Sequence, residues 1–177
     1  VTAGLVLTPS TGLLTFENGT MTSLTIALSS PPTGDVTLKL DSSDPSEGTV
    51  SPPNVTFTPL NWMAPQVISV TGVDDDRADG NQPYLVVPTI ETSADQDYAK
   101  LDPPNAEVTN IDDDSPGITL MPTTGLMTRE DLTSATFTVV LNSKPSGTVA
   151  FDVTSSRPEE GVASPATLQF SEENWNG

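Results

Sequence analysis

Two stretches of this chain resemble each other at a constant offset of 113 residues. Residues 4–17 read GLVLTPSTGLLTFE, and residues 117–130 read GITLMPTTGLMTRE. From Gly4 to Ala64 the two copies align without a gap, with 25 identities in 61 positions. A repeat of this length is long enough to be a domain, and it therefore predicts two copies of one domain in tandem.

The repeat predicts a complete domain in residues 1–114 and a second copy in residues 115–177. Gly177 corresponds to Ala64, so the second copy lacks about the last 49 residues of the unit. A sandwich without its final strands would expose sheet edges and half of its core. We expect either a parent protein that continues beyond Gly177 or strands supplied by another chain. The chain also begins with Val rather than Met, as a fragment or processed piece would.

The pattern of apolar residues predicts an all-β protein. Short alternating runs are separated by loops rich in Pro, Gly, Ser and Asp, and no long helical stripe is present. Seven short antiparallel strands in about 110 residues are typical of an immunoglobulin-like sandwich. We therefore predict tandem immunoglobulin-like antiparallel β-sandwiches, the second incomplete, with first-copy strands near residues 5–16 (broken at 9–12), 21–28, 36–40, 55–58, 67–73, 84–91 and 107–111.

The composition excludes several classes of function. With 24 acidic and only 6 basic residues the net charge is −18, so we expect neither a nucleic-acid partner nor an anionic membrane surface. The chain has no cysteine and no histidine, which excludes disulfides, thiol chemistry and the commonest general base. No apolar run is long enough to span a bilayer. No carboxylate pair is framed by substrate-binding aromatic residues, and we expect no enzyme.

Two aspartate triplets occur in the segments GVDDDRADG (residues 72–80) and NIDDDSPG (residues 110–117). If successive strands run up and down, the loops after alternate strands meet at one pole of the sandwich. By this reasoning the pole receives 11 of the 17 acidic residues of the first copy, and the two triplets become neighbours: Glu17, Asp41, Asp44, Glu47, Asp74, Asp75, Asp76, Asp79, Asp112, Asp113 and Asp114.

Carboxylates crowded in this way repel one another by about 4 kcal/mol per pair at about 4 Å and a surface-like dielectric. A few such pairs are comparable to the ~5–15 kcal/mol that stabilises a whole domain. Protonation, splaying into water or a hard cation would relieve the repulsion. Calcium takes six to eight oxygen ligands and suits carboxylates on loops, so calcium is the predicted cofactor. The alternative is that each triplet is only a solvated turn or linker.

The first copy resembles the Calx-β domain family, known from sodium–calcium exchangers, integrin β4 and large bacterial surface proteins. The likeness is carried by Glu17, VTFTP (residues 55–59), VISVTGVDDD (residues 67–76) and VTNIDDD (residues 108–114). In that family the acids of these segments bind calcium. Where the family has spaced glutamates after the first triplet, this chain has only Asp79. The predicted metal ligands are Glu17, Asp74, Asp75, Asp76, Asp79, Asp112, Asp113 and Asp114.

These features lead us to expect a structural repeat of an extracellular or cell-surface protein. Tandem sandwiches joined by IDDDSPG would form a stalk in which each unit adds roughly 40 Å, and calcium would stiffen the joint. The expected partners are neighbouring repeats of the same chain or further copies of itself, with no membrane insertion. Two alternatives remain open. One is a filament subunit completed by strands from a neighbouring chain, and the other is an adhesion module for an extracellular ligand.

Overall fold

A computed structural model describes residues 2–177, which form β-strands and one short 3-10 turn. Contacts within the chain divide it into two compact units. Unit 1 comprises the residues up to Asp75 together with Asp79–Asp113, and unit 2 comprises Asp76–Ala78 and Asp114–Gly177. Among the residues described, no helix is long and apolar enough to cross a membrane.

Unit 1 is a sandwich of two sheets. One sheet has four strands in the order β1-β3-β7-β5, and the other has five strands in the order β2-β9-β8-β4-β6. The 3-10 turn, Tyr98–Lys100, precedes β9. The nine strands are β1 (Leu5–Thr8), β2 (Leu13–Phe16), β3 (Met21–Leu28), β4 (Val36–Ser42), β5 (Gly48–Ser51), β6 (Asn54–Phe57), β7 (Gln66–Gly72), β8 (Gln82–Ser93) and β9 (Ala106–Ile111).

The core lies between the two sheets and follows the alternation of the sequence. Leu24, Ile26 and Leu28 of β3 are at most 3% exposed, and the intervening residues face outward. Each fully buried aliphatic side chain of this kind contributes roughly 1.5–3 kcal/mol of hydrophobic stabilisation. From the facing sheet, Leu38 and Phe57 are completely buried. The prediction of an all-β sandwich is confirmed.

The first predicted strand divides between the two sheets at its break. Strand β1 pairs antiparallel with β3, whereas β2 pairs parallel with β9, with Leu13 opposite Val108. Gly12 lies in this crossover with φ of 71°, a conformation that glycine adopts without steric cost. The parallel pair is a departure from the purely antiparallel arrangement expected from the sequence. The short strand β5, which pairs with β7, is a ninth element that the sequence did not predict.

The parallel pairing of β2 with β9 brings the ends of two distant segments to the same pole. Phe16 lies opposite Ile111 at the last position of the ladder. The chain therefore leaves both strands in the same direction, and the amide of Glu17 donates a hydrogen bond to the carbonyl of Ile111 at 3.2 Å. Glu17 and Asp112 consequently follow the two strands side by side.

Unit 2 contains two separate two-stranded antiparallel sheets. Strand β10 (Ile118–Met121) pairs with β11 (Thr138–Leu141), and strand β12 (Val149–Asp152) pairs with β13 (Thr167–Phe170). The rings of Phe151 and Phe170 stack with a centroid separation of 5.6 Å. Residues 76–78 also belong to this unit, and the Arg77 guanidinium forms an ion pair of 3.0 Å with Glu172.

Gly72, at the end of β7, packs too closely against its neighbours to accept a side chain. A Cβ added there would meet the carbonyl oxygen of Phe16 and lie 2.5 Å from Oδ1 of Asn110. We expect Gly72→Ala to lower the free energy of unfolding of unit 1 by about 1–3 kcal/mol, measured by urea unfolding. Gly147→Ala is the control, because an added Cβ at Gly147 meets nothing within 4 Å. Equal stability of the two variants would contradict the packing described.

Candidate metal centre

Glu17 lies in the turn that leads from β2 to β3, and its side chain is drawn inward. Only 3% of the residue is exposed, which is rare for a carboxylate. One carboxylate oxygen, Oε2, accepts the backbone N–H of Asp113 at 3.2 Å. This hydrogen bond ties the turn after β2 to the segment that follows β9, and it holds the carboxylate among the other acids of the pole.

A first group of carboxylates forms around this buried side chain. Glu17, Asp74 and Asp113 each offer an oxygen, and the three oxygens lie within 4.8 Å of one another. Asp74 follows β7 and Asp113 follows β9, so the group joins three segments that are far apart in sequence. Glu17 is buried, whereas the other two side chains are exposed to solvent.

A second group consists of Glu47, Asp75 and Asp79, whose oxygens also lie within 4.8 Å of one another. Glu47 was counted among the acids of the pole but was not among the predicted ligands. It lies within the turn SSDPSEG, three residues after Asp44 and outside the two aspartate triplets. Its position in the β4–β5 loop could have indicated a ligand, because this loop lies at the same pole as the β7–β8 loop.

The side chain of Asn110 is hydrogen-bonded to Glu47, a member of the second group. Its amide nitrogen donates to Oε2 of Glu47 at 3.4 Å and to the carbonyl of Val73 at 2.9 Å. Its amide oxygen accepts the hydroxyl of Thr15 at 3.0 Å, and this hydroxyl is 3.0 Å from that of Tyr84. Asn110 is 1% exposed, and its polar atoms are all hydrogen-bonded. This buried network therefore fixes the position of the Asn110 amide that contacts Glu47.

Asp112 connects the two segments that carry the aspartate triplets. Its carboxylate oxygen Oδ2 accepts the backbone N–H of Gly80, and its own N–H donates to the side-chain oxygen of Asn81 at 3.2 Å. Gly80 has φ of 81°, which lets the β7–β8 loop turn its amide toward this carboxylate. The triplets are therefore neighbours in space, with backbone hydrogen bonds between their segments.

The remaining acids of the pole are placed differently. Asp76 and Asp114 belong to unit 2, and the carbonyl of Asp76 accepts the N–H of Lys144 at 2.6 Å. Asp41 forms an ion pair of 3.0 Å with Lys39, and Asp44 accepts the N–H of Ser46 within its own turn at 3.1 Å. Of the eight predicted ligands, unit 1 holds six at its pole: Glu17, Asp74, Asp75, Asp79, Asp112 and Asp113.

Burial dominates the electrostatics of the buried glutamate. Desolvation raises the pKa of Glu17 from its ordinary 4.5 to about 7. The hydrogen bond from the Asp113 amide opposes this rise, and the charges of Asp112, Asp75 and Asp113 add to it. Burial likewise raises the pKa of Glu47, opposed by the Asn110 hydrogen bond. At neutral pH the site therefore holds charge at a free-energy cost that either a proton or a cation would offset.

The donor set fits a hard divalent cation. Two ligands that each lie 2.3–2.6 Å from one calcium ion are separated by at most about 5 Å, and both carboxylate groups meet this limit at 4.8 Å. All donors are oxygen, and the chain has no cysteine or histidine to favour zinc or copper. Residues Glu17, Asp74 and Asp113 would hold one ion, and Glu47, Asp75 and Asp79 would hold a second.

No family model matches the chain, and no curated protein sequence matches it. Among solved structures, the periplasmic chaperone SfaE aligns with 62% of this chain at 9% identity and a TM-score of 0.48. The chain spans only 58% of that chaperone. The apo-form Calx CBD1 domain aligns over its full length with 64% of this chain, at 12% identity and a TM-score of 0.47. The E. coli chaperone DraB aligns with 96% of this chain at 12% identity and a TM-score of 0.45. None of these likenesses assigns a function.

The raised pKa of Glu17 predicts that unit 1 becomes less stable as the pH rises in the absence of metal. The folded state binds the proton more tightly than the unfolded chain, so stability present below about pH 4.5 is lost as the pH rises through about 7. Glu17→Gln removes this loss because glutamine carries no charge. Above pH 7 in EDTA, the free energy of unfolding of the variant should be about 3 kcal/mol higher than that of the unmutated chain.

Urea unfolding in EDTA between pH 5 and 8 measures this effect. Glu107→Gln is the matched control, because it removes an exposed carboxylate from the outer face of β9. The control should keep the pH dependence of the unmutated chain. If Glu17→Gln keeps it as well, the burial of the charged carboxylate does not control the stability of the pole.

Proposed function

We propose that this chain is a non-enzymatic structural module of the Calx-β type, from the outside of a cell, in which bound calcium stiffens the connection between repeats. The observation that carries the proposal is the buried carboxylate of Glu17, held within 4.8 Å of the carboxylate oxygens of Asp74 and Asp113. In a solvated turn rich in aspartate the carboxylates would be exposed to water, whereas Glu17 is only 3% exposed.

The site favours calcium over magnesium. Its carboxylates stand on four loop or strand-end segments of irregular geometry, and calcium accepts such variable arrangements, whereas magnesium requires near-ideal octahedra and releases its water reluctantly. Extracellular calcium modules bind in the ~0.1–1 mM range. At ten times the dissociation constant one such ion stabilises the folded state by about 1.4 kcal/mol.

Calcium at this pole would act on the connection between repeats because of where the ligands lie in the chain. Asp113 is the last residue of unit 1, and Asp114 is the first residue of the following stretch of unit 2. Asp75 likewise directly precedes Asp76, which groups with unit 2. The ion held by Asp113 and the second ion, held by Asp75, would therefore each restrain one of the points at which the chain passes from one unit to the other.

The proposal places the protein outside the cell or on its surface, where calcium is in the millimolar range. Its partners are neighbouring repeats of the same chain or further copies of it.

We expect calcium to narrow the distribution of distances between the two units. Because the chain has no cysteine, Lys100→Cys and Gln169→Cys place one spin label on each unit at exposed positions. Pulsed electron resonance should give a narrower distribution in millimolar calcium than in EDTA or millimolar magnesium. Asp113→Asn in the labelled chain should abolish the narrowing, because the variant loses a charged ligand of the first carboxylate group.

Asp102→Asn is the control for this measurement. It removes an exposed aspartate from the segment between the 3-10 turn and β9, and the calcium response should persist. Distributions of equal width in calcium and EDTA would exclude a stiffening function. A response that survives Asp113→Asn would place the active ion elsewhere.

A further inference from the structure

Strand β9 carries a buried amide at a position where its alternation favours an aliphatic side chain. Ala106 and Val108 occupy the two preceding inward positions, and Asn110 occupies the third with 1% exposure. On the neighbouring strand β2, Leu13 lies opposite Val108, and Thr15 lies opposite Asn110. A buried amide that lost its partners would cost about 1–3 kcal/mol, so the hydrogen bonds of Asn110 decide whether the residue is tolerated there.

The partners of Asn110 fix the direction in which its amide group faces. The carbonyl of Val73 and Oε2 of Glu47 are both acceptors, and they lie 2.9 and 3.4 Å from Nδ2. On the other side, Oδ1 accepts the hydroxyl of Thr15 at 3.0 Å. Turning the amide over would place Oδ1 against two acceptors, one of them a carboxylate. The N–H groups of Asn110 therefore face Val73 and Glu47 before any ion binds.

Glu47 and Val73 are also bonded to each other through the backbone. The amide of Val73 donates to the carbonyl of Glu47 at 3.0 Å. The two hydrogen bonds from Asn110 complete a ring of three residues that joins β9, the β4–β5 loop and the residue after β7. A Cβ added at Gly72 would lie 2.5 Å from Oδ1 of Asn110, so the amide has little space in which to move.

Within this ring, only the bond from Asn110 to Glu47 holds a carboxylate of the second group. Glu47 is half-buried, whereas Asp75 and Asp79 of the same group are exposed. Without the Asn110 amide, the backbone bond between Glu47 and Val73 would remain, but the Glu47 carboxylate would be released from β9. A ligand held in place before binding loses less conformational entropy when the ion arrives.

We propose that Asn110 is a positioning residue that sets the affinity and the calcium selectivity of the second carboxylate group. Magnesium requires its ligands to approach to about 2.0–2.1 Å in a near-ideal octahedron, whereas calcium accepts longer and less regular distances. A Glu47 carboxylate held by Asn110 cannot adjust its position freely, which disfavours magnesium more than calcium. The inference rests on the proposed calcium function and names the residue that selects the ion.

The test isolates each carboxylate group within the full chain. Asp113→Asn removes a ligand of the first group and leaves the second, while Glu47→Gln removes a ligand of the second group and leaves the first. Asn110→Leu, which has a similar volume and no hydrogen-bonding group, is then introduced into each of these two chains. Calcium chloride and magnesium chloride are titrated separately into all four proteins by calorimetry.

In the Asp113→Asn chain, Asn110→Leu should weaken calcium binding at least tenfold, because removing a hydrogen-bond partner of a ligand costs about 10–100-fold in metal affinity. Magnesium binding should change little, so the ratio of the two affinities should fall. In the Glu47→Gln chain, the same substitution should leave calcium binding almost unchanged. A general structural role would instead weaken calcium binding in both chains alike.

Tyr98→Phe is the control for the loss of a buried hydrogen bond. The Tyr98 hydroxyl donates to the carbonyl of Ser30 at 2.7 Å, beyond the end of β3 that is remote from Glu17. This variant should lower the stability of unit 1 and leave its calcium affinities unchanged. Asn110→Ser replaces Asn110→Leu if the latter does not fold. In the unmutated chain, the side-chain amide signals of Asn110 in a magnetic resonance titration should shift as the second group fills.

The outcomes separate this inference from the proposed function. Equal calcium affinities of the Asp113→Asn chain with and without the Asn110 amide would overturn the role of Asn110 and leave calcium binding intact. An equal loss in the Glu47→Gln chain would also overturn it, because Asn110 would then act on the pole as a whole. Failure of the unmutated chain to bind calcium would overturn both proposals.

Discussion

The charge of Glu17 is the constraint on which the acidic pole depends. A carboxylate that is 3% exposed, beside Asp112, Asp75 and Asp113, cannot be stabilised by water alone. Its hydrogen bond from the Asp113 amide offsets part of the desolvation, yet the pKa still rises to about 7. Near neutral pH the charged form of this carboxylate therefore costs free energy, and either a proton or a cation would offset that cost.

The parallel pairing of β2 with β9 makes this arrangement possible. If residues 13–16 had continued in the sheet of β1 and β3, Glu17 would lie away from Asp112 and Asp113. The crossover at Gly12 places β2 in the opposite sheet, where β2 and β9 run parallel and end at the same pole. The buried side-chain amide of Asn110, on β9, donates hydrogen bonds to Glu47 and to the carbonyl of Val73 at the start of the β7–β8 loop. Fold and site thus depend on the same local feature.

The sequence predicted those elements in which one buried face imposes a strict alternation. Strand β3 has the bounds expected of it, Met21–Leu28, because Leu24, Ile26 and Leu28 leave a single possible register. Strand β5 was missed because its four residues, GTVS, carry a single large apolar side chain. The parallel pairing could not be inferred, since the break at residues 9–12 does not say which sheet the chain rejoins. Glu47 was placed at the same pole as Asp75 and Asp79 from the order of the strands, but it was not predicted as a ligand because it lies outside the two segments that carry the aspartate triplets.

Thermal unfolding of the chain in EDTA, in millimolar calcium and in millimolar magnesium tests the central claim most directly. If calcium occupies the acidic pole, the unfolding midpoint of unit 1 should rise by about 4–8 °C per kcal/mol of added stability, and magnesium should have little effect. Asp75→Asn combined with Asp113→Asn should remove the calcium response. Equal midpoints in calcium and EDTA would contradict the account and leave the two aspartate triplets as solvated turns of a tandem sandwich.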